Sequence, residues 1–397
     1  MTAEPRIAIV GAGLGGLTAA IALALRGFAV EVFEQAAELG EAGAGLTVSR
    51  SAQAVFAEIG LLDSIQKIAS ATPRMAWLHY QTGALQTGIV DRSDGRWSPA
   101  SPPGGLHIHR ADVHALLVAR FEALAPGRLH TAKRLTEIES AADPVRLRFA
   151  DGTAAEADLV IGADGIRSAV RAALWGATPA RFTGQIAFRF MVPGDIAAPF
   201  LAEAGRAALF QGPGRVFNRY TLRGGDIVNC VAITQSDSWQ GEGWSTPGSR
   251  EELLALYDGW HPDATGMMAI APPEHLIKWA LFDRPPLDRW TEGAVALLGD
   301  AAHPMLPFLG LGAAMAIEDA MVLARVLAES PDPAGLARYA ALRQPRTRLI
   351  ADLSRVQGEL SQRRDPEHYD PAASPAQDPS IQTYDPVTTP LELDAAS

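Results

Sequence analysis

At 397 residues the chain is long enough for two domains, and its 48% hydrophobic content can supply a core for each. A formal net charge of -11 without a lysine- or arginine-rich block argues against a nucleic-acid partner, and charges break every apolar stretch short of the roughly 20 residues that a membrane span needs. The single cysteine, Cys230, excludes an internal disulfide, and the first strand begins too early to leave room for a signal peptide, so a cytoplasmic protein is expected.

Residues 6–10 read as a short buried parallel strand, followed directly by Gly11-Ala12-Gly13-Leu14-Gly15-Gly16. Gly11 suits the tight turn, Gly13 a close approach of backbone to a pyrophosphate, and Gly16 close packing of the next helix on the strand. Free N–H groups at the start of that helix would face phosphates. Gly27 ends the helix, and residues 30–33 form a second strand with Glu34 at its end, 18 residues beyond Gly16 and placed to accept from a ribose hydroxyl. The order of strand, glycines, helix, strand and acid specifies a dinucleotide site. NAD and FAD both fit it.

A glycine-rich crossing from Gly40 to Gly45 would let backbone pass close to a cofactor. A helix is expected over residues 52–62, and residues 75–105 change to short strand-like pieces with turns, an excursion from the first domain. Residues 106–114 open the next helix. There Arg110 either meets a cofactor phosphate or pairs with Asp112. A strand over residues 158–161 ends in Gly162-Ala163-Asp164-Gly165, where an α/β sheet places ligand contacts, although Asp164 can equally cap the helix that follows. Alternation over residues 186–192, 207–210, 215–222 and 226–233 suits an antiparallel sheet with one solvated face. Cys230 reads as a packing residue in the last of these strands. A buried strand over residues 294–298 then leads into Gly299-Asp300, Pro307, Gly310-Leu311-Gly312 and a largely apolar helix over residues 313–327. Arginine-rich helical sequence follows from Leu336 to about Gln362. The Pro-, Asp- and Ser-rich tail beyond Arg364 is expected to be loosely ordered.

Three separated motifs, Gly11 to Gly16 with Glu34, Asp164-Gly165 with Arg171, and Gly299-Asp300 leading to Pro307, Gly310 and Gly312, together resemble the class A flavoprotein aromatic hydroxylases, such as salicylate, hydroxybenzoate and hydroxynicotinate monooxygenases. The resemblance covers about residues 5 to 350, with smaller matches at His109-Arg110-Ala111-Asp112 and Gly212-Pro213-Gly214-Arg215. It implies an α/β fold: a Rossmann-like FAD-binding domain (residues 1–74, 106–180 and 287–335) and a second domain on a mostly antiparallel sheet (75–105 and 181–286). A C-terminal helix over 336–364 and the tail over 365–397 complete the division. It also implies FAD as cofactor, held by Gly11, Gly13, Leu14, Gly15, Gly16, Glu34, Gln35, Gly45, Arg110, Asp164, Gly165, Gly299, Asp300, Pro307, Gly310, Leu311 and Gly312. NADH or NADPH would visit as a transient co-substrate. The family cycle passes through a flavin C4a-hydroperoxide made from O2, which hydroxylates a small aromatic or heteroaromatic ring. The alternative is hydroxylation or epoxidation of a larger apolar biosynthetic intermediate on the same fold.

The catalytic set is expected at Tyr220, His303, Pro307, Gly310 and Gly312, with Tyr220 either a donor to a substrate hydroxyl or a packed strand tyrosine, and His303 a structural neighbour of the flavin more than a general base. N–H groups at the start of the helix after Gly312 would stabilise negative charge on the flavin. Arg189 and Arg219 are candidates to hold a substrate carboxylate. Hydroxynicotinate-type relatives often carry histidines where this chain has Phe308 and Val216, and a glutamine at Leu311, so the mouth of the site is expected to be more apolar than theirs. No metal site, nucleic acid or membrane is expected; the partners are the small aromatic substrate and O2, with the protein a monomer or homodimer.

Overall fold

The computed structural model describes residues 5–40, 45–72, 75–88, 105–177, 179–203, 205–239, 244–363 and 365–393. The glycine crossing between Gly40 and Gly45 and most of the turn signals of the expected excursion at 75–105 lie outside them. Among the described residues four sheets organise the chain. A six-stranded sheet runs in the order Thr291–Glu292, Val295–Leu297, Leu159–Gly162, Arg6–Val10, Ala29–Phe33 and Leu129–His130, parallel except at the first edge strand. Its central strands are buried along almost their whole length, as continuous apolar runs covered on both faces should be. The helix Leu14–Ala24 packs against the helices Arg110–Leu124 and Gly312–Glu329, with Leu17, Ile21, Leu323 and Val326 in one core.

The second large sheet has eight strands, in the order Ser245–Pro247, Ile277–Asp283, Arg181–Pro193, Ile227–Gln235, Arg215–Leu222, Ala207–Gly212, Ala76–His79 and Leu85–Thr87. All neighbours are antiparallel except Ala207–Gly212 with Ala76–His79. Alternation gives the sheet two unlike faces. One buries Phe188, Phe190, Phe210, Phe217 and Cys230 beneath the helices Arg250–Leu256 and Pro262–Ala269. Arg219 belongs to that covered side, where it is fully buried and donates to the carbonyls of Gly205 (2.6 Å) and Phe200 (2.9 Å). It is therefore removed from the candidates for a substrate carboxylate. The other face meets Gly45, His107 and Phe308.

Two further departures from the sequence reading concern local structure. Residues 105–109 do not open a helix. They form the centre strand of a three-stranded antiparallel sheet with Gly45–Val48 and Ser70–Thr72, and the helix begins at Arg110. The tail is not loose in residues 365–393. Arg325, Arg338 and Arg346 donate to the carbonyls of Pro386, Leu391 and Ser380, and the Arg346 guanidinium lies 3.7 Å from the centre of the Tyr384 ring. Among the described residues no helix is long and apolar enough to cross a membrane, and no group of side chains could hold a metal ion.

Candidate active site

The glycine turn is built to be close on one side and open on the other. Gly11 has φ of +107°, and a Cβ there would sit 2.4 Å from the Ala163 carbonyl; one on Gly16 would sit 2.1 Å from the Gly11 carbonyl. At Gly13, the residue before the helix, nothing lies within 4 Å of that position. The helix has no side-chain cap and no acid in its first turn, so its leading N–H groups point into this opening. Glu34 does more than end its strand: its carboxylate accepts from the N–H groups of Ala12 (2.8 Å) and Ala36 (2.9 Å), fixing the turn. Leu14 is buried and Gln35 exposed beside it.

Asp164 caps the helix Ala169–Trp175, accepting from Ala169 (2.6 Å) and Val170 (3.1 Å) with one oxygen. Its other oxygen is buried without a partner among the described residues, and burial raises its pKa. Gly165 has nothing within 4 Å of a would-be Cβ. Arg171 joins this motif to the next, donating to the carbonyls of Ile166 (2.8 Å) and Ala301 (3.1 Å).

The Gly299-Asp300 turn leaves Asp300 exposed and buries its base. Asp319 accepts from Gly299 N–H (3.1 Å), from His303 Nε2 (2.5 Å) and from Arg343 Nε (2.6 Å). Burial alone would raise the Asp319 pKa, but His303 and Arg343 outweigh it and hold it at about 2. Glu318 accepts from both Arg343 and Arg346. His303 also stacks on Trp290 at 5.0 Å. These contacts tie His303 to the helix beneath the turn through Nε2, while its Nδ1 is buried with no partner among the described residues. Gly310 adopts φ of +66°, and Leu311 leads without a side-chain cap into the helix at Gly312, again with no acid in the first turn. Pro307 starts the short turn Pro307–Leu309 just before it.

Gly15 brings the two ends together, because its Cβ position would fall 2.7 Å from Leu298 and 3.0 Å from Ala316 on the Gly312 helix. Asp112, the alternative partner expected for Arg110, accepts from Arg223 Nε (2.9 Å) and Nη2 (2.7 Å). Burial lowers the Arg110 pKa, while the charge of Asp300 raises it and that of Arg189 lowers it.

The inward face of the eight-stranded sheet closes the space from the other side. Strand register places Arg189, Val231, Asn218, Leu209 and Trp77 in one row, with Tyr220 and Asn229 in the next. Ala187, Val216 and Ile233 make an apolar patch with Trp279 and Phe308, which brings two of the three positions expected at the mouth together, whereas Leu311 packs in the core of the first domain. Burial raises the Tyr220 pKa although Arg189 lowers it, which keeps the phenol protonated. The Tyr220 ring lies against Gly45, where a Cβ would fall 2.5 Å from its Oη, and is 4.1 Å from the His107 ring. Sequence reasoning missed Asn229, whose Oδ1 accepts from Gly45 N–H (2.8 Å) while its Nδ2 is buried without a partner among the described residues. The signal was present, since Asn229 shares strand parity with Val231 and Ile233.

Residues 4–354 match the family model described as FAD binding domain. The chain belongs to the FAD-dependent aromatic hydroxylases. It is 37% identical over 366 residues to a 3-amino-4-hydroxybenzoate 2-monooxygenase of Streptomyces platensis, covering 90% of this chain and 88% of that one. It is 35% identical to the 6-hydroxynicotinate 3-monooxygenase of Bordetella bronchiseptica over 86% of each chain. A salicylate hydroxylase structure with bound substrate superposes with a TM-score of 0.78 at 26% identity, covering 96% of this chain and 94% of the other. As a member of this family the chain is a monooxygenase that uses FAD, with NAD(P)H as the reductant. The open turn at Gly13, the unobstructed Gly165, the unpartnered Asp164 oxygen and the two uncapped helix starts fit that cofactor.

Proposed function

We propose that the protein hydroxylates a single-ring aromatic carrying a hydroxyl or amino group and an acidic substituent, bound between the inward face of the eight-stranded sheet and the Pro307–Leu309 turn. Bound FAD supplies electron transfer from NAD(P)H and activation of O2. The chain's own residues do the rest. N–H groups at Gly13 and the start of its helix hold the pyrophosphate, and Glu34 adds a ribose contact with its free lone pairs. Asp164, Gly165, Arg110 and Asp300 border the middle of the cofactor. The N–H groups opening the Gly312 helix stabilise negative charge on the flavin ring.

The observation that carries the substrate class is the composition of the inward sheet face. An apolar floor of Leu209, Val216, Val231 and Ile233 is interrupted by Arg189, Tyr220 and Asn229. A half-buried arginine suits a planar carboxylate. Tyr220, held as the neutral phenol, donates to a ring oxygen and orients the ring without taking its proton. The relatives named above act on rings of this kind. The test is a titration of the FAD-loaded protein with hydroxybenzoates, aminohydroxybenzoates and hydroxypyridine carboxylates, followed by product mass. A flavin spectral shift and a mass gain of one oxygen for at least one member are expected. Turnover confined to large non-carboxylated hydrocarbons would reject the proposal.

A further inference from the structure

The matched family domain ends at residue 354, yet the chain that follows returns to the sheet that floors the chamber. Gly214 N–H donates to the Gln362 carbonyl (3.1 Å) at the tip of a sheet hairpin. Beyond it, the Tyr369 ring stacks on Trp77, the last member of the row that begins at Arg189, with centroids 5.7 Å apart and planes at 23°. Glu367 Oε1 is 3.1 Å from His79 Nε2. His79 Nδ1 accepts from the N–H groups of Gln81 and Thr82, so the proton sits on Nε2 and is donated to Glu367. The Pro366 carbonyl accepts from Gln86 Nε2 (2.9 Å), and Gln86 Oε1 in turn accepts from Gln211 Nε2. Gln211 is 2% exposed, and its Oε1 has no partner among the described residues. These contacts set a short segment of the extension, residues 366–369, across the Trp77 end of the inward sheet face. It is latched by polar contacts on one side and faced with an aromatic ring on the other.

We infer that Tyr369, supplied by the extension and stacked on Trp77, is a specificity-determining residue that closes the chamber opposite Arg189 and limits the substrate to one ring. The inference rests on the substrate class proposed above. Arg189 and Trp77 stand four strand spacings apart, roughly 19 Å. A ring whose carboxylate reaches Arg189 therefore extends along the row toward Trp77. A second fused ring extends the substrate further along the row toward the Trp77–Tyr369 pair, while the Gln211 oxygen beside it, without a partner among the described residues, accepts a hydrogen bond from a polar substituent at that end.

The experiment compares paired probes of one and two rings, 4-hydroxybenzoate with 6-hydroxy-2-naphthoate and 6-hydroxynicotinate with a hydroxyquinoline carboxylate. Flavin difference spectra and kcat/KM are read for the native protein, Tyr369→Ala, Tyr369→Phe and Glu367→Gln. The native protein is expected to favour the one-ring member of a pair, and Tyr369→Ala to shrink that preference at least about tenfold, on the scale by which filled pockets discriminate. Most of the change should appear in KM for the two-ring probe, with FAD content and melting temperature retained. Tyr369→Phe keeps the stack and should keep the preference. Glu367→Gln weakens the latch and should shift the preference the same way as Tyr369→Ala, which preserves the test if the alanine variant fails to fold. An unchanged ring-size preference in a folded Tyr369→Ala protein overturns the inference, as does a native protein that accepts both ring sizes equally. A native protein that responds to neither member of either pair rejects the substrate class itself, and this inference with it.

Discussion

Glu34 and Gly45 each carry a role that a pattern of residue types states only in part. Spacing identified Glu34 as an acid at a strand end; the structure adds that it holds the glycine turn through Ala12 and Ala36. Glu34→Ala is expected to weaken FAD binding by about 1.5–3 kcal/mol, the range for a hydrogen bond to a charged group. That is roughly tenfold to a hundredfold in Kd by fluorescence titration, and an unchanged Kd would remove Glu34 from the cofactor site. Gly45 is required for a different reason, because Tyr220 occupies the space a side chain would need. Gly45→Ala should cost about 1–3 kcal/mol through overpacking. Urea unfolding of Gly45→Ala in a Tyr220→Ala background should show most of that cost relieved; an additive pair would mean the clash lies elsewhere. The arginines show how far strand parity reaches. Alternation alone puts Arg219 and Tyr220 on opposite faces of one strand, but which face meets the chamber is decided by the helices that cover Arg219.

At the scale of elements, the strand over residues 215–222 is found with the bounds its alternation suggests, and the neighbouring strands differ only at their ends. The three-stranded sheet of Gly45–Val48, Gly105–His109 and Ser70–Thr72 was not legible. Its strands are short, its partners are far apart in sequence, and its centre strand runs straight into a helix. That centre strand has a measurable signature. Burial lowers the His107 pKa from 6.5 to about 4, so between those values the unfolded chain takes up a proton that the folded one refuses. The contribution to stability is complete above pH 6.5 and is lost as the pH falls toward 4, to the extent of up to ~3 kcal/mol. Unfolding free energies at pH 7, 6 and 5 should show this slope, and His107→Phe, which keeps a ring against Tyr220, should flatten it. An equal slope in the variant would assign the acid sensitivity to other groups.

The whole molecule is tied together by charges that sequence does not pair. Glu318 and Asp319 sit on the helix after the Gly299-Asp300 turn, while Arg343 and Arg346 come from the long helix Pro333–Ser361. All four lie beneath the turn that carries the proposed flavin contacts. Asp319→Asn removes the carboxylate that Gly299, His303 and Arg343 share and leaves the buried Arg343 guanidinium short of a counter-ion, so it should destabilise the fold by about 3–5 kcal/mol, the usual effect of removing one partner of a buried pair. Thermal melts and flavin retention after gel filtration would measure it, and a melting temperature within a degree of the native protein would contradict it. The tail escaped sequence reasoning for the same cause. Its Pro-, Asp- and Ser-rich composition signals little intrinsic order, whereas its anchors are helix arginines donating to tail carbonyls, an interaction that leaves no trace in tail composition.

The long helix has one further effect through Gly358. A Cβ there would stand 2.5 Å from the ring of Phe308, the aromatic residue on the turn above the sheet. In the proposed site the headroom over a bound ring would therefore be governed by a residue that never touches it. Alanine at position 358 would work like a shim, pressing Phe308 down and tightening the enzyme's choice among ring substituents while leaving every contacting atom chemically the same.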